Sequence, residues 1–289
     1  MNLPPPAPRV YDPHVGLASK LVRRARSAYR DLAQYATLFD MHGNDVARQT
    51  DFAHAERPVL LLPGFLATRR TLAILERRLR RDGYSPFSLN LGGLLGTFNT
   101  LSIEERALYV REKIERLYQR FEKMGPLAIV GHSKGGLIGR YYVKRLGGHQ
   151  RCCALITLGT PHNGAPIAYL GMGLGPILPS LGEMRPMSRF IQRLKEGTFP
   201  SEVRLVSVYS KDDRIATFPS TLLESDGQPH ILNVDVRGVP HHGFLHNKRV
   251  YDVVHRELQI GFADAHPREP GLRVAPRAVE GRGTPKATG

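Results

Sequence analysis

Cysteine is nearly absent from this sequence: two in 289 residues, and those two are neighbours, Cys152 and Cys153. Adjacent Cα atoms lie about 3.8 Å apart, nearer than an ordinary disulfide spans. The pair also leads into the apolar run Ala154 to Leu158, so a disulfide framework is excluded and buried thiols are expected. Such thiols suit a reducing compartment. Long apolar runs are missing too; none approaches the roughly 18 to 20 residues of a membrane helix. The Pro-rich start, Met1 to Val10, lacks the basic n-region and apolar core of a secretory signal. A cytoplasmic location is the expectation. Acidic residues are outnumbered, 26 against 41 Lys and Arg, for a formal net charge of +15. That field attracts anionic partners. However, zinc-finger spacing and RNA-binding aromatic motifs are absent, and Arg69, Arg70, Arg77, Arg78, Arg80 and Arg81 alternate with apolar positions as a solvated helix face does. No specific nucleic-acid partner is expected.

What is present falls into three segments. Residues 1–57 form an N-terminal extension in which Ala18, Leu21, Val22, Ala25, Tyr29, Leu32 and Ala36 recur with helical period. Lys20, Arg23, Arg24 and Arg30 lie opposite. This basic amphipathic helix can dock on its own domain or make peripheral contact with an anionic membrane. Residues 58–262 alternate strands and helices. Strands are expected at Val59–Leu62, Tyr84–Leu89, Leu127–Val130, Ala154–Leu158, Val203–Tyr209 and His230–Val236. Helices are expected at Thr71–Asp82, Ile103–Lys123, Gly135–Leu146 and Asn247–Gln259. That order predicts an α/β domain, a mostly parallel sheet with helices on both faces. Residues 263–289, rich in Pro, Gly and Arg, predict a disordered basic tail.

The chemistry sits at Gly131-His132-Ser133-Lys134-Gly135. A buried strand before and a helix after give Gly-x-Ser-x-Gly the context of a nucleophile elbow. The sharp turn leaves no room for side chains at 131 and 135 and lifts the Ser133 hydroxyl beside the free N–H groups of a helix N-terminus. The rival readings are a Gly-rich capping turn and a phosphate loop; the Walker spacing that the latter needs is missing. A serine nucleophile needs an oxyanion hole. The expected donors are the backbone N–H of Lys134 and that of Phe65, in the loop Leu62-Pro63-Gly64-Phe65-Leu66. A base and an orienting carboxylate are expected in the order Ser, acid, His, on loops after strands. Two doublets occupy those loops, Asp212-Asp213 and His241-His242, and the residues alone leave each choice open. His132 and His162 read as packing residues.

These stretches resemble bacterial triacylglycerol lipases and related esterases of the α/β-hydrolase superfamily, over about Val59 to Glu257. Gly131 to Ile138 and Thr157-Leu158-Gly159-Thr160-Pro161-His162-Asn163-Gly164 carry the likeness, and Leu181 to Leu194 is similar to the end of the family's lid. The resemblance implies an α/β-hydrolase fold with a lid or cap insertion at about 162–200. It implies Asp213, ahead of Ile215-Ala216, as the acid, and His241, by spacing back from Arg249-Val250-Tyr251, as the base. Two departures stand out. Pro63-Gly64 replaces the family's His-Gly, and Lys134 replaces an apolar residue after the nucleophile, putting a cation near the site. No calcium site is recognisable, and neither metal nor cofactor is called for.

The expected activity is cleavage of a small-molecule or lipid carboxylic ester by a Ser133-His241-Asp213 triad through an acyl-enzyme. Acyl transfer to an alcohol and a non-catalytic lipid-binding module are the alternatives. Within the insertion, Ala165 to Pro179 is apolar and Gly-rich, and reads either as a mobile lid hinged at Gly171, Gly173 and Gly175 or as a fixed cap.

Overall fold

A computed structural model describes residues 51–94, 98–169, 178–225 and 227–265. The expected N-terminal helix, the three insertion glycines and the tail from 266 onward lie outside the described residues. Six strands form one wholly parallel sheet in the order β2-β1-β5-β6-β7-β8. They are β1 (Pro58–Leu62), β2 (Ser85–Ser88), β5 (Leu127–His132), β6 (Cys152–Leu158), β7 (Arg204–Tyr209) and β8 (Ile231–Asp235). A two-stranded antiparallel hairpin, β3 (Gly93–Leu94) and β4 (Phe98–Asn99), stands apart. It was not anticipated, because two-residue strands carry no periodicity.

The continuous apolar runs become strands covered on both faces, as parallel sheets require. Side chains alternate across the pleat. Leu60, Leu62, Ile129, Leu155 and Leu205 join one core with α2 (Ile103–Arg120) and α3 (Lys134–Arg145). Val59, Leu61, Val130, Ile156, Val206 and Val208 join the other with α1 (Ala73–Arg81) and α6 (Lys248–Asp264). Phe52 and Ala55, ahead of β1, are buried in the first core. Cys152 and Cys153 are buried, and no disulfide joins them.

Two helix ends differ from expectation by three residues or more. The α2 helix stops at Arg120 rather than Lys123, because the chain turns back through a Met124 N–H to Phe121 carbonyl bond before Gly125-Pro126. Ser102 caps its start, accepting from the Glu105 N–H. The α6 helix runs past Gln259 to Asp264. A Cβ on Gly261 would come within 2.7 Å of Ala154 Cβ. The glycine lets α6 approach β6, and Phe262 then packs on Tyr84.

Because β2 lies to one side of β1 and β5 to the other, the strand order reverses between β1 and β5. The carboxyl ends of strands flanking such a switch point form a crevice. The loops after β1 and β5 are those with the expected oxyanion donors and the serine.

Candidate active site

Ser133 follows β5 with φ 52° and ψ −121°, a conformation costly for a residue with a Cβ and kept only where the surroundings enforce it. Its N–H donates to the Leu158 carbonyl at 2.9 Å, and its carbonyl accepts from Thr160 Oγ1 at 2.9 Å. The glycines around it answer to space. A Cβ on Gly131 would stand 2.6 Å from the Gly136 backbone, and one on Gly135 would stand 2.2 Å from the Leu62 carbonyl oxygen. The turn closes only without those side chains, which is why the motif needs glycine at both positions. Ser133 is 9% exposed and makes no side-chain capping bond.

The doublets separate. Asp213 is buried after β7; its Oδ1 accepts from the Ile215 and Ala216 N–H groups, each at 2.9 Å. The His241 Nδ1–H donates to its Oδ2 at 2.8 Å. That tautomer leaves the His241 Nε2 lone pair available as a base. Asp212 instead faces outward, and its Oδ2 accepts from the Gly238 N–H at 2.7 Å. His241 opens a short 3₁₀ turn, His241–Leu245, and is buried. His242 packs edge-on against it, ring centroids 5.5 Å apart. Gly159 makes room for the pair: a Cβ there would come 3.0 Å from Asp213 Oδ2.

His132, expected only to pack, belongs to this arrangement. Its Nε2–H donates to the His241 carbonyl at 3.1 Å, and the two rings lie 4.8 Å apart. Burial, reinforced by His241 and His242, pushes its pKa well below the usual imidazole range, so it stays neutral. The only sequence signal was its place between Gly131 and Ser133. His162 does pack, its Nε2–H donating to Thr157 Oγ1 at 2.9 Å.

Of the two expected oxyanion donors, Lys134 is the first residue of α3, where no intrahelical carbonyl is available to its N–H. The Phe65 N–H finds no acceptor among the described residues. Gly64 lies against the elbow, its would-be Cβ 3.2 Å from Ser133 Cβ. The Lys134 side chain, expected to put a cation near the site, lies beside the oxyanion loop, its Nζ 5.9 Å from the centre of the Phe65 ring. It is fully buried, its Nζ donating to the carbonyls of Leu101 at 2.5 Å and Asn99 at 3.3 Å. A cleft of about 700 Å³, bordered by His149, Phe199, Glu202 and His230, lies at the opposite, N-terminal ends of β6, β7 and β8 and takes no part.

The chain superimposes on the mature lipase BlEst2 of Bacillus licheniformis with a TM-score of 0.57 at 16% identity, covering 74% of this chain and 96% of that one. This is the α/β-hydrolase fold. A soluble variant of the monoglyceride lipase of Saccharomyces cerevisiae, in complex with a substrate analogue, matches with a TM-score of 0.56 at 18% identity. The coverage is 76% of this chain and 90% of the yeast chain. The monoacylglycerol lipase of Paleococcus ferrophilus matches with a TM-score of 0.54 at 15% identity, over 72% and 95% of the two chains. Residues 44–174 of this chain match the PGAP1-like alpha/beta domain family model. By sequence, no curated protein matches the chain. Among the described residues, no helix is long and apolar enough to cross a membrane.

Proposed function

We propose that this protein is a serine ester hydrolase of the lipase and carboxylesterase kind. The observation that carries the reading is the strained, glycine-walled Ser133 at the same sheet end as a buried Asp213–His241 pair whose tautomer leaves Nε2 free. Ser133 Oγ attacks the ester carbonyl carbon while His241 Nε2 takes its proton. The carbonyl oxygen, now anionic, is held by the Phe65 and Lys134 N–H groups. The tetrahedral adduct collapses, the C–O bond to the alcohol breaks, and His241 returns the proton to the departing alkoxide. Water, deprotonated by the same Nε2, then releases the acid. Asp213 steadies the imidazolium in both halves. The likeness to lipases and esterases supports an ester substrate, and the apolar insertion supports a lipid one.

The test is covalent labelling by a fluorophosphonate followed by peptide mapping. The label is expected on Ser133, and Ser133→Ala is expected to lower p-nitrophenyl ester hydrolysis to near background. A residual rate of roughly a thousandfold over water is compatible with the reading, since the oxyanion hole and binding survive. Hydrolysis at the wild-type rate by the alanine variant would overturn it.

A further inference from the structure

Lys134 is the residue of the elbow that the reaction above uses only through its backbone, and its side chain is a buried cation among carbonyls. Its ammonium bonds the Asn99 and Leu101 carbonyls and lies 5.9 Å from the centre of the Phe65 ring. Asn99 is in turn the clamp of the oxyanion loop. Its Nδ2 donates to the Pro63 carbonyl at 2.9 Å, its carbonyl accepts from the Leu66 N–H at 3.3 Å, and its N–H donates to the Ala67 carbonyl at 3.2 Å. Leu66 needs such a clamp, because it holds a φ of 55° without being glycine. Phe65, the second oxyanion donor, lies between the clamped residues.

The same segment is gripped from the insertion. Helix α4 (Pro179–Glu183) sends Ser180 Oγ to the Thr100 carbonyl at 2.9 Å, and the Glu183 carboxylate accepts from Ser102 Oγ at 2.6 Å and the Ile103 N–H at 2.5 Å.

We propose that the Lys134 ammonium is a positioning group for the oxyanion hole, locking residues 99–101 and through Asn99 the loop that presents the Phe65 N–H, while Glu183 of the insertion supports that lock. The inference rests on the ester-hydrolase reading. Its chemical content is a charge-assisted bond, roughly twice as strong as the neutral one. Burial holds the Lys134 pKa down to about 7; Glu183 on α4 and Glu105 on α2 oppose that shift, and Arg106 on α2 adds to it. As pH rises through that value the ammonium becomes an amine, the lock weakens, and the oxyanion donor loses its fixed place. Turnover then declines on the alkaline side through kcat rather than KM, since the oxyanion forms only after substrate is bound.

The experiment is the pH profile of kcat and KM for p-nitrophenyl butyrate in the wild type, Lys134→Met and Glu183→Gln. The wild type is expected to lose kcat above pH about 7. Lys134→Met is expected to show a kcat lower by about tenfold or more, KM little changed, and no alkaline decline. Glu183→Gln removes the carboxylate that favours the ammonium, so its decline is expected to begin at lower pH. It keeps the proposal testable if Lys134→Met does not fold. An alkaline decline that stays in place in both variants, or in Glu183→Gln alone where Lys134→Met is unfolded, overturns the proposal. If the wild type cleaves no ester and Ser133 stays unlabelled, the hydrolase reading fails instead. Amide hydrogen exchange at Leu66 and Asn99 then judges the lock without turnover. Faster exchange in Lys134→Met, or on raising the wild type's pH through 7 if that variant is unfolded, supports it; no change refutes it.

Discussion

Ser133, Asp213 and His241 are defined as much by what was denied to their neighbours as by their own chemistry. A carboxylate can orient an imidazole only if its remaining lone pairs are occupied in one fixed direction. The Ile215 and Ala216 N–H groups do that for Asp213. Asp212, one residue away, spends its carboxylate on the Gly238 N–H at the surface. Asp213→Asn is therefore expected to lower kcat by about 10⁴-fold, the scale on which a wrong tautomer is felt. Asp212→Asn is expected to leave kcat within a few-fold and cost about 1 kcal/mol of stability or less. Steady-state kinetics on both variants check this; equal losses, or the reverse order, would remove Asp213 from the orienting role. His241→Ala against His242→Ala gives the parallel comparison for the base, with the larger loss expected at His241. His242 touches the His241 ring only by its edge.

At the scale of elements, the insertion divides into an anchored part and a part outside the described residues. Helix α5 (Arg189–Lys195) buries Phe190, Ile191 and Leu194 in the core, stacking Phe190 on Tyr141 of α3. Lys144 caps its end, Nζ bonding the Leu194, Lys195 and Gly197 carbonyls. The Ala165 N–H to Met184 carbonyl bond, at 2.7 Å, draws the two sides of the insertion together. Ile167, Tyr169 and Met187 remain exposed, Met187 to 76%. These apolar groups suit contact with an acyl chain, and each buried methylene of substrate contributes about 0.8 kcal/mol, close to fourfold in binding. kcat/KM is therefore expected to rise from p-nitrophenyl acetate through butyrate to octanoate. A steady fall from acetate onward would exclude an acyl-binding role for the insertion.

Across the whole molecule, residues far apart in sequence are joined at the outer ends of α1 and α6. Tyr251 Oη donates to Asp82 Oδ2 at 2.6 Å, and Arg81 Nε bonds Oδ1 at 2.9 Å. Arg81 first, then Tyr251, holds the Asp82 carboxyl down to about 2 from 3.8. A depressed carboxyl contributes stability above its unfolded value and loses it as pH falls through the folded one. The wild type is therefore expected to melt higher than Asp82→Asn near neutral pH, with the gap closing between about pH 4 and pH 2. Thermal melts of both proteins across that range check the sign. A gap that persists unchanged at pH 2 would show that the carboxylate's charge is not involved.

The sequence alone determined the alternating architecture and the elbow, because both are local. A buried parallel strand must be a continuous apolar run, and a turn that admits no Cβ must be glycine on either side of Ser133. The loops bearing the Asp and His doublets, from which the proposed acid and base come, were legible too, from strand order. What the sequence did not determine was any choice that depends on direction in space. Asp212 and Asp213 are chemically identical and adjacent; the Ile215 and Ala216 N–H groups and the approach of residues 238 and 241 from another loop separate them. His132 acquired a partner because the His241 carbonyl comes to rest over β5. The place of Gly261 inside the last helix has its reason, the nearness of Ala154, in another strand. Lys134 read as a cation near the site, and only the fold shows that its Nζ goes to the Asn99 and Leu101 carbonyls, since a buried ammonium must go where acceptors are. Tertiary structure decided these because each rests on a contact between segments whose nearness no local pattern encodes.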